Sequence, residues 1–270
     1  MSSFVILVPV DFTSTAKRAV EYALEFAQKT QGKITLLHVV GKENEVDAAK
    51  HQFEDFIAKG GFNAQLETEV TIGNHLSDIG SIADTLNADL IIMGTHGERG
   101  MQKVFGSHAL RVVESSKIPL LIVQEETNYR PINKIVMTID LERESIQIVK
   151  NAATIARYFD AEIILVGGKH EDPLLKKKVS MNMLLCKEFL TAEKINFKFE
   201  LLERKNFDEH LIQYCAQNEV DMIAATFYQN TFYAFSDKFV QHLITNELHI
   251  PMMTIDSTST SHAGQLSFMT

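Results

Sequence analysis

The chain repeats itself, and this constrains its fold more than any other feature. Ile135-Val-Met-Thr-Ile-Asp140 restates Ile6-Leu-Val-Pro-Val-Asp11 at an offset of 129 residues, and Ile163 to Val166 restates Ile34 to Leu37 at the same offset. Asp221-Met-Ile223 then matches Asp89-Leu-Ile91, and Ile250-Pro251 matches Ile118-Pro119, both at an offset of 132. Constant offsets, separated by a small insertion around 172–194, mark a tandem duplication with its junction near 125–131. A chain of 270 residues is long enough for two domains of this size. The expected domains are 1–128 and 129–256, followed by a flexible tail, 257–270, that is polar and aperiodic.

Within the first copy, strands alternate with helical segments. Phe4 to Val10 is an unbroken apolar run, as in a strand buried on both faces of a parallel sheet. Ser14 or Thr15 can cap a helix whose Ala19, Ala23, Leu24 and Ala27 share one face, and Gly32 can stop it. Residues 34–40 read as strand two, 43–59 as a helix stopped by Gly60-Gly61, 65–71 as strand three and 76–86 as a helix. Leu90 to Met93 is a further buried strand, a helix starts near Ser107, and Pro119 to Val123 is the last strand. The alternation predicts an α/β fold, a doubly wound parallel sheet in each copy.

The connection from Thr95 to Gly106 stands out. Strand-to-helix links usually take ~2–6 residues, whereas this one takes twelve and is punctuated by glycine: Gly94-Thr-His-Gly97-Glu-Arg-Gly100, then Gly106-Ser107-His108. Glycines let backbone N–H groups approach an anion, and a helix start carries partial positive charge. The loop is therefore expected to wrap the phosphates of a nucleotide.

Composition removes several classes. A net charge of −9 argues against a broad basic nucleic-acid surface and against an anionic membrane as partner. No apolar run approaches the ~18–20 residues of a membrane span, and Met1-Ser-Ser-Phe4 opens directly into a strand. Two cysteines, Cys186 and Cys215, lie far apart in helical contexts, so core positions and a cytoplasmic location are expected. The dinucleotide fingerprint GxGxxG after strand one, a Walker loop and a GxSxG elbow are all absent. His96 and His108 flank the loop without a Cys/His/Asp cluster, so no metal site and no catalytic residue is assigned. Lys176-Lys-Lys178 reads as a solvated helix face, with Met181, Met183 and Leu184 as packing residues.

The end of strand one, Pro9-Val10-Asp11, together with the glycine loop, makes the chain similar to tandem-repeat members of the universal stress protein family. The family's nucleotide signature is a glycine, two residues, a second glycine, nine residues, then Gly-Ser or Gly-Thr. Gly94, Gly97 and Gly106-Ser107 follow it with a gap of eight. The resemblance implies ATP or AMP as ligand, Mg accompanying ATP, and Pro9, Asp11 and Val39 at the nucleoside. It also implies a tandem pseudo-dimer of two five-stranded sheets ordered 3-2-1-4-5, whose last strands, 120–124 and 252–256, pair within the chain, with further assembly as a homodimer open.

In that strand order a crevice forms where strands one and four send their helices to opposite faces. Asp11 can accept bonds from ribose hydroxyls there, Val39 and Met93 can wall a base, and Gly106, Ser107 and His108 can present donors to phosphate. The second copy lacks these parts. Thr226 stands opposite Gly94, Gln229 opposite Gly97, Lys238 opposite Gly106, Phe239 opposite Ser107, Thr138 opposite Pro9 and Gly168 opposite Val39; only Asp140 keeps its counterpart, Asp11. One nucleotide per chain is expected. The aromatic run from Phe227 to Phe235 is expected to pad the core between the copies, with filling of the vacated pocket or contact with a partner as the alternatives. The functional expectation is a regulatory or protective nucleotide-binding protein that is not an enzyme, with slow ATP hydrolysis compatible. The competing readings are a nucleotide-free tandem scaffold or interaction module, and an enzyme of a related adenine-nucleotide group.

Overall fold

A computed structural model describes residues 3–62, 66–95, 107–228 and 237–258. In the first half the elements are β1 (Val5–Pro9), α1 (Ser14–Thr30), β2 (Lys33–Val40), α2 (Val46–Gly60), β3 (Glu67–Ile72), α3 (Ile79–Thr85), β4 (Leu90–Thr95), α4 (Ser107–Ser115) and β5 (Leu120–Gln124). The second half continues with β6 (Lys134–Ile139), α5 (Val149–Phe159), β7 (Glu162–Gly168), α6 (Pro173–Ala192), β8 (Phe197–Leu202), α7 (Phe207–Asn218), β9 (Met222–Phe227), α8 (Asp237–Ile244) and β10 (Met252–Asp256).

The two five-stranded sheets are joined into one ten-stranded sheet, ordered β3-β2-β1-β4-β5-β10-β9-β6-β7-β8. Each half contributes the order 3-2-1-4-5 in parallel ladders, and β5 joins β10 antiparallel through Met252↔Ile122, Met253↔Leu121 and Thr254↔Leu120. Joining the two apolar edge strands removes both as sites of unwanted pairing, which is the physical reason for a single sheet. Side chains tie the seam: Gln124 Nε2 donates to Asn246 O at 2.9 Å and Thr127 Oγ1 to His249 O at 2.9 Å. Across the seam Tyr22 meets Tyr129, Phe4 meets Tyr158 and Phe26 meets Phe159.

The apolar runs are explained by cover on both faces. Ile6, Val8, Leu36 and Ile92 pack under α1, α2, α5 and α6, while Leu7, Leu37, Ile91 and Ile122 pack under α3, α4, α7 and α8. The repeated landmarks have structural duties. Asp89 Oδ2 accepts from Val5 N at the start of β1, and Asp221 Oδ2 accepts from Asn133 N and Lys134 N at the start of β6. Pro119 and Pro251 offer their carbonyls to Ile91 N and Ile223 N.

Several local expectations are corrected. Thr13, not Ser14 or Thr15, caps α1, its hydroxyl accepting from Ala16 N. The left-handed residue that ends α1 is Gln31, φ 51°. Gly32 is instead required by crowding, since a Cβ there would lie 2.8 Å from Phe4 O. The helix foreseen at 43–59 opens as a 3-10 turn, Glu43–Glu45, and the one foreseen at 76–86 begins only at Ile79. Before it, Asn74 Oδ1 holds the amides of Leu76 and Ser77 in a turn, and Asp78, whose carboxylate accepts from Asn74 N and Ser77 Oγ, is held below the usual carboxylate range by those bonds. Of the methionine group on α6 only Met183 packs; Met181 and Leu184 are exposed.

Candidate functional site

β1 and β4 are parallel neighbours, yet their ladder holds only at Ile6↔Leu90 and Leu7↔Ile91. The paired register ends there, at the point where the order of a doubly wound sheet reverses and where such sheets hold ligands. Val39 and Met93 lie on the α3/α4 face of the sheet, and alternation along β1 places Pro9 on the same face as Leu7. The three residues expected to wall a nucleoside therefore share one side. Val39 is buried, whereas Pro9 and Met93 are half-buried.

Asp11 follows β1 and is exposed. Its Oδ1 accepts from Thr13 N at 3.1 Å and from Thr13 Oγ1 at 2.5 Å, so the carboxylate fixes the residue that caps α1. Among the described residues none donates to Oδ2. Between them Phe12 takes a left-handed backbone, φ 63°, an unfavourable conformation for a bulky residue that its surroundings hold in place. Its ring lies 4.6 Å from His38, 5.2 Å from Phe53 and 5.8 Å from Phe56, centroid to centroid. His38 Nδ1 also lies 2.6 Å from Val10 O. Phe12 and His38 thus set the Asp11 turn, a role that sequence reasoning missed. The available signal was a lone histidine inside the apolar run of β2.

Gly94 has a packing duty that the loop motif does not announce. A Cβ there would lie 2.3 Å from Thr15 O and 2.7 Å from Thr15 C, so its first duty is to admit the opening turn of α1 against β4. Gly97 and Gly106 lie outside the described residues, as does His96. Ser107 opens α4, and His108 follows it with an exposed side chain. Pro9, Asp11, Val39, Met93 and Gly94 therefore lie at or just beyond the carboxyl ends of β1, β2 and β4.

The second copy builds a different crevice. A cavity of about 390 Å³ is lined by Ile139, Asp140, Gly168, His170, Arg204, Lys238 and the start of α7, Asn206 to Asp208. Asp140 is buried where Asp11 is exposed, and burial pushes its carboxyl up, against the opposing pull of the Leu141 amide, Arg204 and His170. Burial and the Arg204 guanidinium push His170 down. Asn182 of α6 donates to the carbonyls of Asp140 and Glu142.

Of the aromatic run, Phe227 and Tyr228 are buried in a core that spans both halves, and burial raises the Tyr228 phenol. The run from 229 to 235 lies outside the described residues, as does most of the tail, 259–270. Cys186 and Cys215 are buried and free, their thiols pushed up to about 12 by burial, which makes them unreactive. Among the described residues no helix is long and apolar enough to cross a membrane, and no group of three or more His, Cys, Asp or Glu side chains could hold a metal ion.

With this geometry in hand, comparison with known proteins gives a consistent picture. Residues 4–124, from the start of β1 to the end of β5, match the model of the universal stress protein family. Universal stress protein MJ0531 of Methanocaldococcus jannaschii is 24% identical over 138 residues, covering 44% of this chain and 81% of that protein. Universal stress protein MJ0577 of the same organism is 25% identical over 157 residues, covering 46% and 96%. Among solved structures, a universal stress protein from Archaeoglobus fulgidus superposes with a TM-score of 0.71 at 14% identity, over 95% of this chain and all of the other, which establishes the shared fold. The first half therefore resembles the universal stress protein family in sequence, and the chain as a whole shares the fold of the Archaeoglobus fulgidus structure.

Proposed function

We propose that the first half binds one adenine nucleotide, ATP or AMP, in the crevice between β1 and β4, and that the protein serves a regulatory or protective role in stress rather than a metabolic one. The observation that supports this reading is the short β1–β4 register at the point of sheet reversal, with Asp11 directly after β1, Gly94 near the end of β4, and Pro9, Val39 and Met93 on one face of the sheet. The residues fit the group. Asp11 keeps Oδ2 for ribose hydroxyls while Oδ1 is engaged with Thr13. The start of α4 at Ser107 offers backbone donors for phosphate, and Gly106-Ser107 completes the motif in sequence. Mg would accompany ATP by neutralising phosphate charge. No base or nucleophile is assigned, and slow hydrolysis would arise from water reaching the phosphates.

The competing reading is a nucleotide-free tandem scaffold. It draws support from Gly94, whose absence of a side chain is already required by packing against Thr15. Equilibrium dialysis with ATP and AMP, with and without Mg, separates the two. One site per chain, lost in Gly106→Val, supports nucleotide binding. No binding at millimolar nucleotide supports the scaffold, and two equal sites would refute the asymmetry between the copies.

A further inference from the structure

The two outer edges of the sheet differ in a way that points to a partner. At one end β3 carries Glu67 and Glu69 and no cation, which discourages strand addition. At the other end β8 reads Phe197-Lys-Phe-Glu-Leu-Leu202, with Phe199 41% and Leu201 45% exposed. The ladder fixes which backbone groups of β8 are spoken for. Asn196 O accepts from Ile163 N and Leu202 O from Lys169 N, in the register Leu165↔Phe199. In a parallel ladder the bonded residues alternate, so 198, 200 and 202 face β7, and the N–H and C=O groups of Phe197, Phe199 and Leu201 face outward. Consistently, the Leu201 amide is covered only by the neighbouring Glu200 carboxylate, at 3.2 Å.

We propose that β8 pairs antiparallel with β8 of a second copy, on a two-fold axis at Phe199. Phe199 then meets itself and Phe197 meets Leu201 of the partner subunit, each as a hydrogen-bonded pair formed by the outward groups. Lys198 falls opposite the partner's Glu200, and Glu200 opposite the partner's Lys198. The strand is thus self-complementary in charge as well as in hydrogen bonding. Leu201 lies against Met183 and Val179 of α6, since both reach the space beside Gly167 that Leu201 also borders. Phe197, Phe199 and Leu201 therefore extend an apolar strip on the α6 face, in which Phe197 and Phe199 already meet edge to face at 5.6 Å. Two copies would form one continuous sheet, extended as the chain itself extends it at β5 and β10. This assembly is independent of the nucleotide reading.

Sedimentation equilibrium of the full chain at about 100 μM tests it. A dimer is expected. Phe199→Lys should weaken it about a hundredfold by setting like charges on the axis, with circular dichroism unchanged because the position is half in solvent. Glu200→Lys should weaken it about tenfold, and the double variant Lys198→Glu, Glu200→Lys should restore association. Phe199→Cys should form an intermolecular disulfide under mild oxidant, since hydrogen-bonded antiparallel pairs bring Cα atoms to about 5.5 Å. A monomer at this concentration, or a dimer indifferent to Phe199→Lys and to the charge exchange, overturns the proposal.

Discussion

The turn after β1 and the turn after β6 start from matching strands and end differently. After β1 the chain reverses through left-handed Phe12, Thr13 caps, and α1 begins at Ser14. After β6 Leu141, at the position of Phe12, is not left-handed, and the path runs through a 3-10 turn, Arg143–Ile146, before α5 starts at Val149. The residue of the neighbouring strand accounts for the difference. Gly94 leaves room for Thr15 O to approach β4 closely, whereas Thr226 is fully buried and spends its hydroxyl on Ser145 O at 3.3 Å. A glycine usually credited to phosphate binding is here also a packing device, and its replacement restructures the helix start that borders the crevice. Two copies of one fold have therefore diverged at the turn that follows their first strand, while the sheet beneath them is kept.

Exchanging the two residues breaks the comparison most directly. Gly94→Thr should destabilise the protein by about 3 kcal/mol in urea unfolding, because the obstructing atoms are backbone and α1 must move to admit a β-branched side chain. Any nucleotide bound in the first half should be lost with it. Close behind, Gly106→Val should cost about a hundredfold in ATP affinity, roughly 2.8 kcal/mol by titration calorimetry, with unfolding unchanged. If Gly94→Thr removes stability but leaves binding intact, packing and ligand are uncoupled.

The reverse exchange is gentler. Thr226→Gly removes a buried hydroxyl that donates to Ser145 O and adds backbone freedom to β9, for a loss of about 1–2 kcal/mol in the same assay. A gain of nucleotide in the second half is not expected, since Lys238 and Phe239 stand in place of Gly106 and Ser107. Dialysis finding a second ATP site in Thr226→Gly would mean that this one residue alone separates the crevices.

The sheet was largely legible because its signals are local. Buried parallel strands must be apolar throughout, and the paired landmarks Asp89/Asp221 and Pro119/Pro251 make equivalent bonds in both halves. Helix boundaries were less so. Thr13, Ser14 and Thr15 are all competent caps, and the choice is made by Asp11, which binds Thr13. The purpose of Gly94 was illegible for the same kind of reason: nothing near it in sequence says that Thr15, on a helix from another strand, will press against it. His38 and Phe12 were missed because a contact between the end of β1 and the interior of β2 appears only once the strands are paired. In the second copy the residues matched to Val39 and Gly106, Gly168 and Lys238, line the same cavity as Asp140, an assembly visible only once the strands are paired.

Asp140 sharpens the comparison at the smallest scale. Its folded-state carboxyl is raised from the ordinary 3.8, chiefly by burial, so the folded protein holds this proton more tightly than the unfolded chain does. The contribution to stability is therefore fully present below pH 3.8 and is lost as pH rises through the higher folded value, leaving a net penalty at neutral pH. Asp140→Asn keeps the shape and an acceptor for the Leu141 amide but removes the charge. At pH 7 it should raise the free energy of unfolding in urea by under about 1 kcal/mol, and the gain should vanish as pH is lowered past the ordinary carboxylate range. A gain that is the same at low pH would mean that burial of the charge is not its cause. A loss for Asp140→Asn at pH 7 would mean that Arg204 and His170 outweigh burial, and that the second crevice is built to keep a charged carboxylate.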